Sequence, residues 1–257
     1  MLFYLRHMVL SPIIASFAAE RHAFNILQHT NMYHPLDNPI WNALNTGNKN
    51  IANGNQQAKY FSKDVSPFVA LEEPTQQNFE ELYNVIPDAG YYAFPWAVEL
   101  TIPQPWETKK IVWIRQMVWE NPTRQIDNKE PLLPLGDEHI PQMLALTQLT
   151  NPGPFSERTI DFGYYSGIFD GDKLIAMAGQ RMNPEPYAEI SAVCTHPDYL
   201  GRGHAARLLL YHVERIKAAG GIPYLNVLTE NARAIAVYES LGFVTRMEMP
   251  IYTIQKK

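Results

Sequence analysis

The sequence predicts a mixed α/β fold, with helices inserted among the strands of a mixed sheet, for its carboxy-terminal half. Three observations lead there. Apolar runs bounded by turn residues mark strands at 164–169, 173–180 and 187–195, the first two joined by the short turn Asp170-Gly171-Asp172. From Gly203 to about residue 219 the side chains Ala206, Leu209, Val213 and Ile216 fall on one helical stripe, which Gly220-Gly221 and Pro223 stop. A buried-looking strand at 224–228 then precedes a helix capped by Asn231 and closed by Gly242, and two strands across 243–254 finish the chain.

The remaining elements follow in order. A helix is expected from Pro12 to about residue 29 and another from Thr75, a capping residue, to about residue 85. Residues 46–61 read as an exposed loop or hairpin. Strands are expected at 96–102 and 110–119, and the aromatic cluster Tyr91, Tyr92, Phe94 and Trp96 fits a core edge better than a pocket lining. Residues 132–135 form a short strand, and Asp137 caps a helix carrying Ile140, Met143, Leu144 and Leu146. The loop at 150–155 cannot be helical at Pro152 or Pro154. The polar, proline-flanked stretch 121–131 reads as a linker, so two domains are expected: an α/β domain at 1–120 and a second at 132–257.

Composition bounds the function. With 257 residues, 46% hydrophobic and 18% charged, the chain has the make-up of a globular protein. Its net charge of −5 and the lack of a basic stripe argue against nucleic-acid binding. One cysteine, Cys194, excludes an internal disulfide framework and fits a reducing, cytoplasmic setting. The apolar run from Met8 to Ala19 falls short of the ~20 residues a membrane helix needs, so no membrane anchor is expected. Scattered histidines without the spacing of metal ligands give no metal site.

The chemistry begins at HPDYLGRGHAA, residues 196–206, between an expected strand and an expected helix. The first four N–H groups of a helix lack intrahelical partners, and its dipole leaves partial positive charge beside them. Gly201 and Gly203 carry no side chains, so a bulky anion can approach the backbone, with Arg202 at the rim. The arrangement suits a phosphate. It is neither a P-loop, since no GK[ST] is present, nor a dinucleotide fingerprint, since Arg207 and Leu208 stand where its last glycine would be.

With the downstream run LNVLTENARAIAVYESLGF, this stretch resembles the GNAT superfamily of acyl-CoA-dependent N-acyltransferases over about 132–254. The signature Q/R-x-x-G-x-G/A reads here Leu200-x-x-Gly203-x-Ala205, with leucine in place of Gln or Arg. The second element is intact as Asn231, Ala234, Tyr238, Gly242 and Phe243. The resemblance implies a GNAT fold, acetyl-CoA as cosubstrate without a metal, and direct transfer to a primary amine on a small molecule or peptide. It implies backbone pairing of Val193, Cys194 and Thr195 with the pantetheine arm, and a diphosphate held by Gly201, Arg202, Gly203, His204, Ala205 and Ala206. It also implies an oxyanion donor in the main chain near Val193, Asn231 near the pantetheine, and Tyr238 as general acid.

Glu189 precedes Val193 by four residues, and even spacing in a strand would place both on one face. The resemblance makes it a candidate general base. A strand glutamate held in an ion pair is the competing explanation. Asn226 stands where some relatives carry a glutamate base, and an amide cannot take the proton. Cys194 in an apolar strand reads as an inert core thiol. The resemblance also implies that the acceptor enters between residues 150–159, the neighbourhood of Arg181 and the residues after Phe243. Two alternatives stand beside the acetyltransferase: an acyl-CoA sensor without turnover, and a longer-chain transferase resembling the glycine-N-acyltransferases, in which a degenerate copy of the fold at 1–120 would pair with the second.

Overall fold

The computed structural model describes residues 34–87, 89–120 and 132–257, and Pro35–Lys257 form one compact unit. The helix expected at 12–29 and the linker expected at 121–131 lie outside the described residues. After a 3-10 turn at Pro35–Asp37 comes helix α1 (Pro39–Asn45). A small antiparallel sheet of β1 (Asn53–Gly54), β2 (Ala58–Tyr60) and β3 (Val69–Leu71) follows, then α2 (Gln76–Val85). The Thr75 hydroxyl caps α2 by accepting from the Asn78 N–H at 3.2 Å, as its sequence position implied.

Eight strands make the large sheet: β4 (Tyr91–Pro95), β5 (Trp106–Trp119), β6 (Leu133–Pro134), β7 (Ser166–Asp170), β8 (Lys173–Gln180), β9 (Tyr187–Thr195), β10 (Ile222–Leu228) and β11 (Phe243–Lys256). Their order is β4-β11-β5-β10-β9-β8-β7-β6, and every neighbouring pair is antiparallel except β9 with β10. Helix α3 (Ile140–Thr150) precedes β7, α4 (His204–Ala218) joins β9 to β10, and α5 (Ala232–Leu241) joins β10 to β11. A crossover helix is what a parallel pair requires.

The two faces of β8 and β9 pack against different helices. Met143 and Leu146 of α3 meet Leu174, Met177, Ala192 and Cys194. Leu208 of α4 meets Ile175, Ala176 and Ala178, while Leu209, Val213 and Ile216 meet Ile190 and Leu225. Burying a leucine or isoleucine fully stabilises by about 1.5–3 kcal/mol, so these clusters hold both helices to the sheet.

The strand expected at 96–102 is replaced by β4, five residues earlier, in which Tyr92 and Phe94 enter the core and Tyr91 is exposed. Residues 96–102 cross the surface instead, tied by the Leu100 N–H to the Tyr252 hydroxyl at 2.6 Å. The two strands expected across 243–254 are one, β11, with register shifts at Thr245/Met247 and Thr253/Ile254. The boundary expected at 121–131 does not separate two sheets. β5, from the earlier half, lies hydrogen-bonded between β10 and β11. Its buried Ile114, Met117 and Trp119 continue the apolar faces that those strands begin.

Candidate active site

β9 and β10 pair in parallel only from Ile222↔Tyr187 to Tyr224↔Glu189. β10 runs on to Leu228 and β9 to Thr195, so beyond this point the strands part and leave a gap. On the other side of β9 the ladder is broken as well. Met177 faces Cys194 and Gly179 faces Ser191, so Ala192 and Val193 together stand opposite the single residue Ala178. This is a β-bulge, with Ala192 at φ 52°. A bulge leaves one residue out of the ladder, and this one lies in the stretch of β9 that runs beyond its pairing with β10.

The bulge also reverses side-chain direction. Val193 packs with Leu208 of α4, whereas Ala192 and Cys194 pack with Tyr165 and Met143. Glu189 turns toward Arg181 and Asn226, so it does not share a face with Val193 as unbroken alternation would require. Opposite the bulge, the buried His212 of α4 donates from Nε2 to the Ala178 carbonyl at 3.2 Å. Burial pushes this imidazole down to about 4, so it stays neutral near pH 7.

At the end of β9 the chain makes a single turn of 3-10 helix, Pro197–Tyr199, and enters α4 through Gly201 (φ 75°) and Gly203 (φ 81°). A side chain is strained at such φ, and among the described residues nothing lies within 4 Å of where a Cβ would stand at either glycine. Gly203 is the N-cap and gives α4 no side-chain cap bond, in contrast to α2 and to α5, where Asn231 accepts from the Ala234 N–H at 3.1 Å. Gly201, Arg202 and Gly203 are exposed at the positive end of a 15-residue helix. Arg202 lies over the Tyr199 ring at 4.8 Å, and Tyr199 donates to Asp170 at 2.6 Å. This side-chain platform sets the rim of the loop. The residues present fit a diphosphate.

Tyr238 of α5 is half-buried in the cluster containing Ile190, Val193, Leu225 and Val227, the residues that flank the gap, with its ring 6.2 Å from that of Phe243. Burial pushes its phenol up to about 12. Cys194 is buried, its thiol pushed up to about 11 by burial, which leaves it protonated and unreactive. Beside it, the Thr195 hydroxyl is buried without a partner.

Glu189 is 1% exposed. Its Oε1 accepts from Arg181 Nη2 at 2.6 Å and Asn226 Nδ2 at 2.9 Å, and its Oε2 from Arg181 Nε at 3.0 Å and the Met182 N–H at 3.3 Å. All four acceptor positions of the carboxylate are taken. That is the geometry of an ion-pair anchor, the explanation that competed with a general base in the sequence. Removing one partner of such a buried pair costs about 3–5 kcal/mol.

Next to the bulge, a pocket is lined by the Pro152–Phe155 loop, Thr159, Tyr165, Arg181, Ser191 and Ala192. It coincides with the acceptor region expected from sequence at 150–159 and Arg181. Ala192 and Tyr165 were not singled out there. Alanine gives no sequence signal for positive φ, and the bulge depends on register with β8, which is set far away in the chain. Among the described residues no group of His, Cys, Asp and Glu is arranged to hold a metal, and no helix is long and apolar enough to cross a membrane.

Residues 132–243 match the Acetyltransferase (GNAT) family. The crystal structure of a putative acetyltransferase from the GNAT family of Novosphingobium aromaticivorans is 32% identical, with a TM-score of 0.81, over 88% of this chain and 100% of that one. The chain belongs to the GNAT family of acetyltransferases. As a GNAT protein it is an acyltransferase with the mixed α/β fold expected from its motifs. Over 118 residues it is also 33% identical to the N-alpha-acetyltransferase RimI of Mycobacterium tuberculosis, covering 44% of this chain and 67% of that protein. A GCN5-related N-acetyltransferase from Kribbella flavida, 11% identical with a TM-score of 0.56 over 83% of this chain and 93% of that one, shares the fold.

Proposed function

We propose that this GNAT protein transfers an acetyl group from acetyl-CoA directly to a primary amine of a small molecule or peptide, in a ternary complex. The observation that carries the reading is the parting of β9 from β10 beyond the Glu189/Tyr224 pair, with an uncapped, glycine-started helix at the end of the same strand. The similarity to a relative named as an N-alpha-acetyltransferase supports an amine as acceptor.

Acetyl-CoA brings a thioester carbonyl activated toward amines. The amides of Gly201, Arg202, Gly203, His204, Ala205 and Ala206 bind its diphosphate, with the Arg202 charge at the rim. The free edge of Val193, Cys194 and Thr195 pairs with the pantetheine arm, and Asn231 lies beside it. A main-chain N–H released by the bulge at Ala192–Val193 donates to the carbonyl oxygen as negative charge grows on it. The Tyr238 phenol, protonated at neutral pH, donates to the departing sulfur. Among the described residues no carboxylate lines the acceptor pocket, so the amine enters as free base or loses its proton to water. For an amine of pKa about 10.4 roughly one molecule in two thousand is neutral at pH 7.

An acyl-CoA sensor is the second reading, favoured by the exposed Leu200 in the signature and by the fully occupied carboxylate of Glu189. A cytoplasmic setting rests on the lone buried thiol. Incubation with acetyl-CoA and a panel of amines and peptides, followed by free thiol, separates the two. Thiol release that rises with pH in step with the free-base fraction of the amine is expected. Cofactor binding with no release on any amine would establish the sensor instead.

A further inference from the structure

Among the described residues the acceptor pocket carries hydrogen-bond donors and no acid. Tyr165 is buried, and its hydroxyl is enclosed without a partner among the described residues. The ring cannot turn away, because it lies flat on Gly179, where a Cβ would come within 2.4 Å of it, and Phe155 meets it edge-on at 5.7 Å. The second donor is Arg181. Glu189 takes its Nε and Nη2, and Phe68 lies against the guanidinium at 5.0 Å, which leaves Nη1 without a bond among the described residues. The Arg181 side chain keeps 13% exposure, against 1% for Glu189, and it lines the pocket. Thr159 adds nothing, since its hydroxyl already accepts from the Ser156 N–H and donates to the Val65 carbonyl.

A buried hydroxyl with no partner is destabilising, and a guanidinium edge facing a pocket is a strong donor in want of an oxygen. Resting on the acetyltransferase reading, we propose that the acceptor amine also carries a carboxylate, bound between the Tyr165 hydroxyl and the Nη1 edge of Arg181. Glu189 is then a positioning residue that holds the guanidinium edge-on to the pocket. Arg181 and Ala192, which stands at the bulge, line the same pocket. The amine and carboxylate therefore sit at two ends of one small molecule, as in an amino acid.

The test compares glycine, 4-aminobutanoate and 5-aminopentanoate with their carboxamides, in the unaltered protein and in Tyr165→Phe. At least one carboxylate is expected to exceed its carboxamide tenfold or more in kcat/KM. Tyr165→Phe should erase that preference by raising KM for the carboxylate alone, while the thermal midpoint stays level or rises. Equal kcat/KM within every pair, or no change of KM in Tyr165→Phe, overturns the proposal. If no amine is acetylated, calorimetric titration of the CoA-loaded protein with 5-aminopentanoate still decides it. Binding that Tyr165→Phe weakens tenfold or more upholds the carboxylate site and sinks only the activity. No binding of any of the three carboxylates sinks the site.

Discussion

Tyr238 shows how one side chain is prepared by its surroundings. Half-buried on α5 among Val193, Val227 and Phe243, its phenol is held protonated well beyond neutral pH, which suits it to give a proton to a thiolate. Tyr238→Phe should lower kcat about 100-fold and leave CoA affinity within a few-fold. Stopped-flow thiol release and calorimetric titration check the two halves, and an unchanged kcat would remove the role. The place of Tyr238 on a capped helix was legible in the sequence because N-x-x-A-x-x-x-Y-x-x-x-G-F is local. Glu189 was not. Its fate depends on Arg181, eight residues away across a turn, and on Asn226, from a strand beyond α4. Composition gives no hint that a strand glutamate will have every acceptor position filled.

The elements around the gap divide in the same way. The glycine loop could be read beforehand, since two glycines ahead of a helical stripe need only local backbone physics, and both adopt positive φ. The bulge could not, because nothing in Ser191-Ala192-Val193 marks an extra residue until β8 supplies the register. His212 ties these elements together by joining α4 to the Ala178 carbonyl opposite the bulge. Its folded pKa lies below its unfolded value near 6.5, so the neutral form is favoured by folding. The stability this contributes is present in full above about pH 6.5. It is lost as pH falls toward about 4, and amounts to roughly 3 kcal/mol. His212→Gln, which keeps a donor for Ala178, is expected to flatten the fall in unfolding free energy between pH 6.5 and pH 4, measured by urea titration. A parallel fall in the variant would show that other groups govern it.

At the scale of the molecule, the half that lacked motifs supplies part of the frame that holds the site. β5 is clamped between β10 and β11, and buried Gln116 within it donates to the Leu36 carbonyl and accepts from Arg246, which also binds Asp37. Phe68 of the same half lies against Arg181. The carboxy-terminal fold was legible because its strands, crossover helix and capped helix each carry local signals. The participation of residues before 120 was not, since polar texture and proline content describe loops and say nothing of which sheet a long strand such as β5 will join.

All of this turns on whether coenzyme A occupies the gap between β9 and β10. A crystal structure of the chain grown with coenzyme A decides it. The diphosphate should lie on the amides of 201–206, with the pantetheine arm along Val193–Thr195 and the sulfur on the Tyr238 side of the gap. Coenzyme A bound away from Gly201 and Gly203, or a gap closed by continued β9–β10 pairing beyond Glu189 and Tyr224, would contradict it.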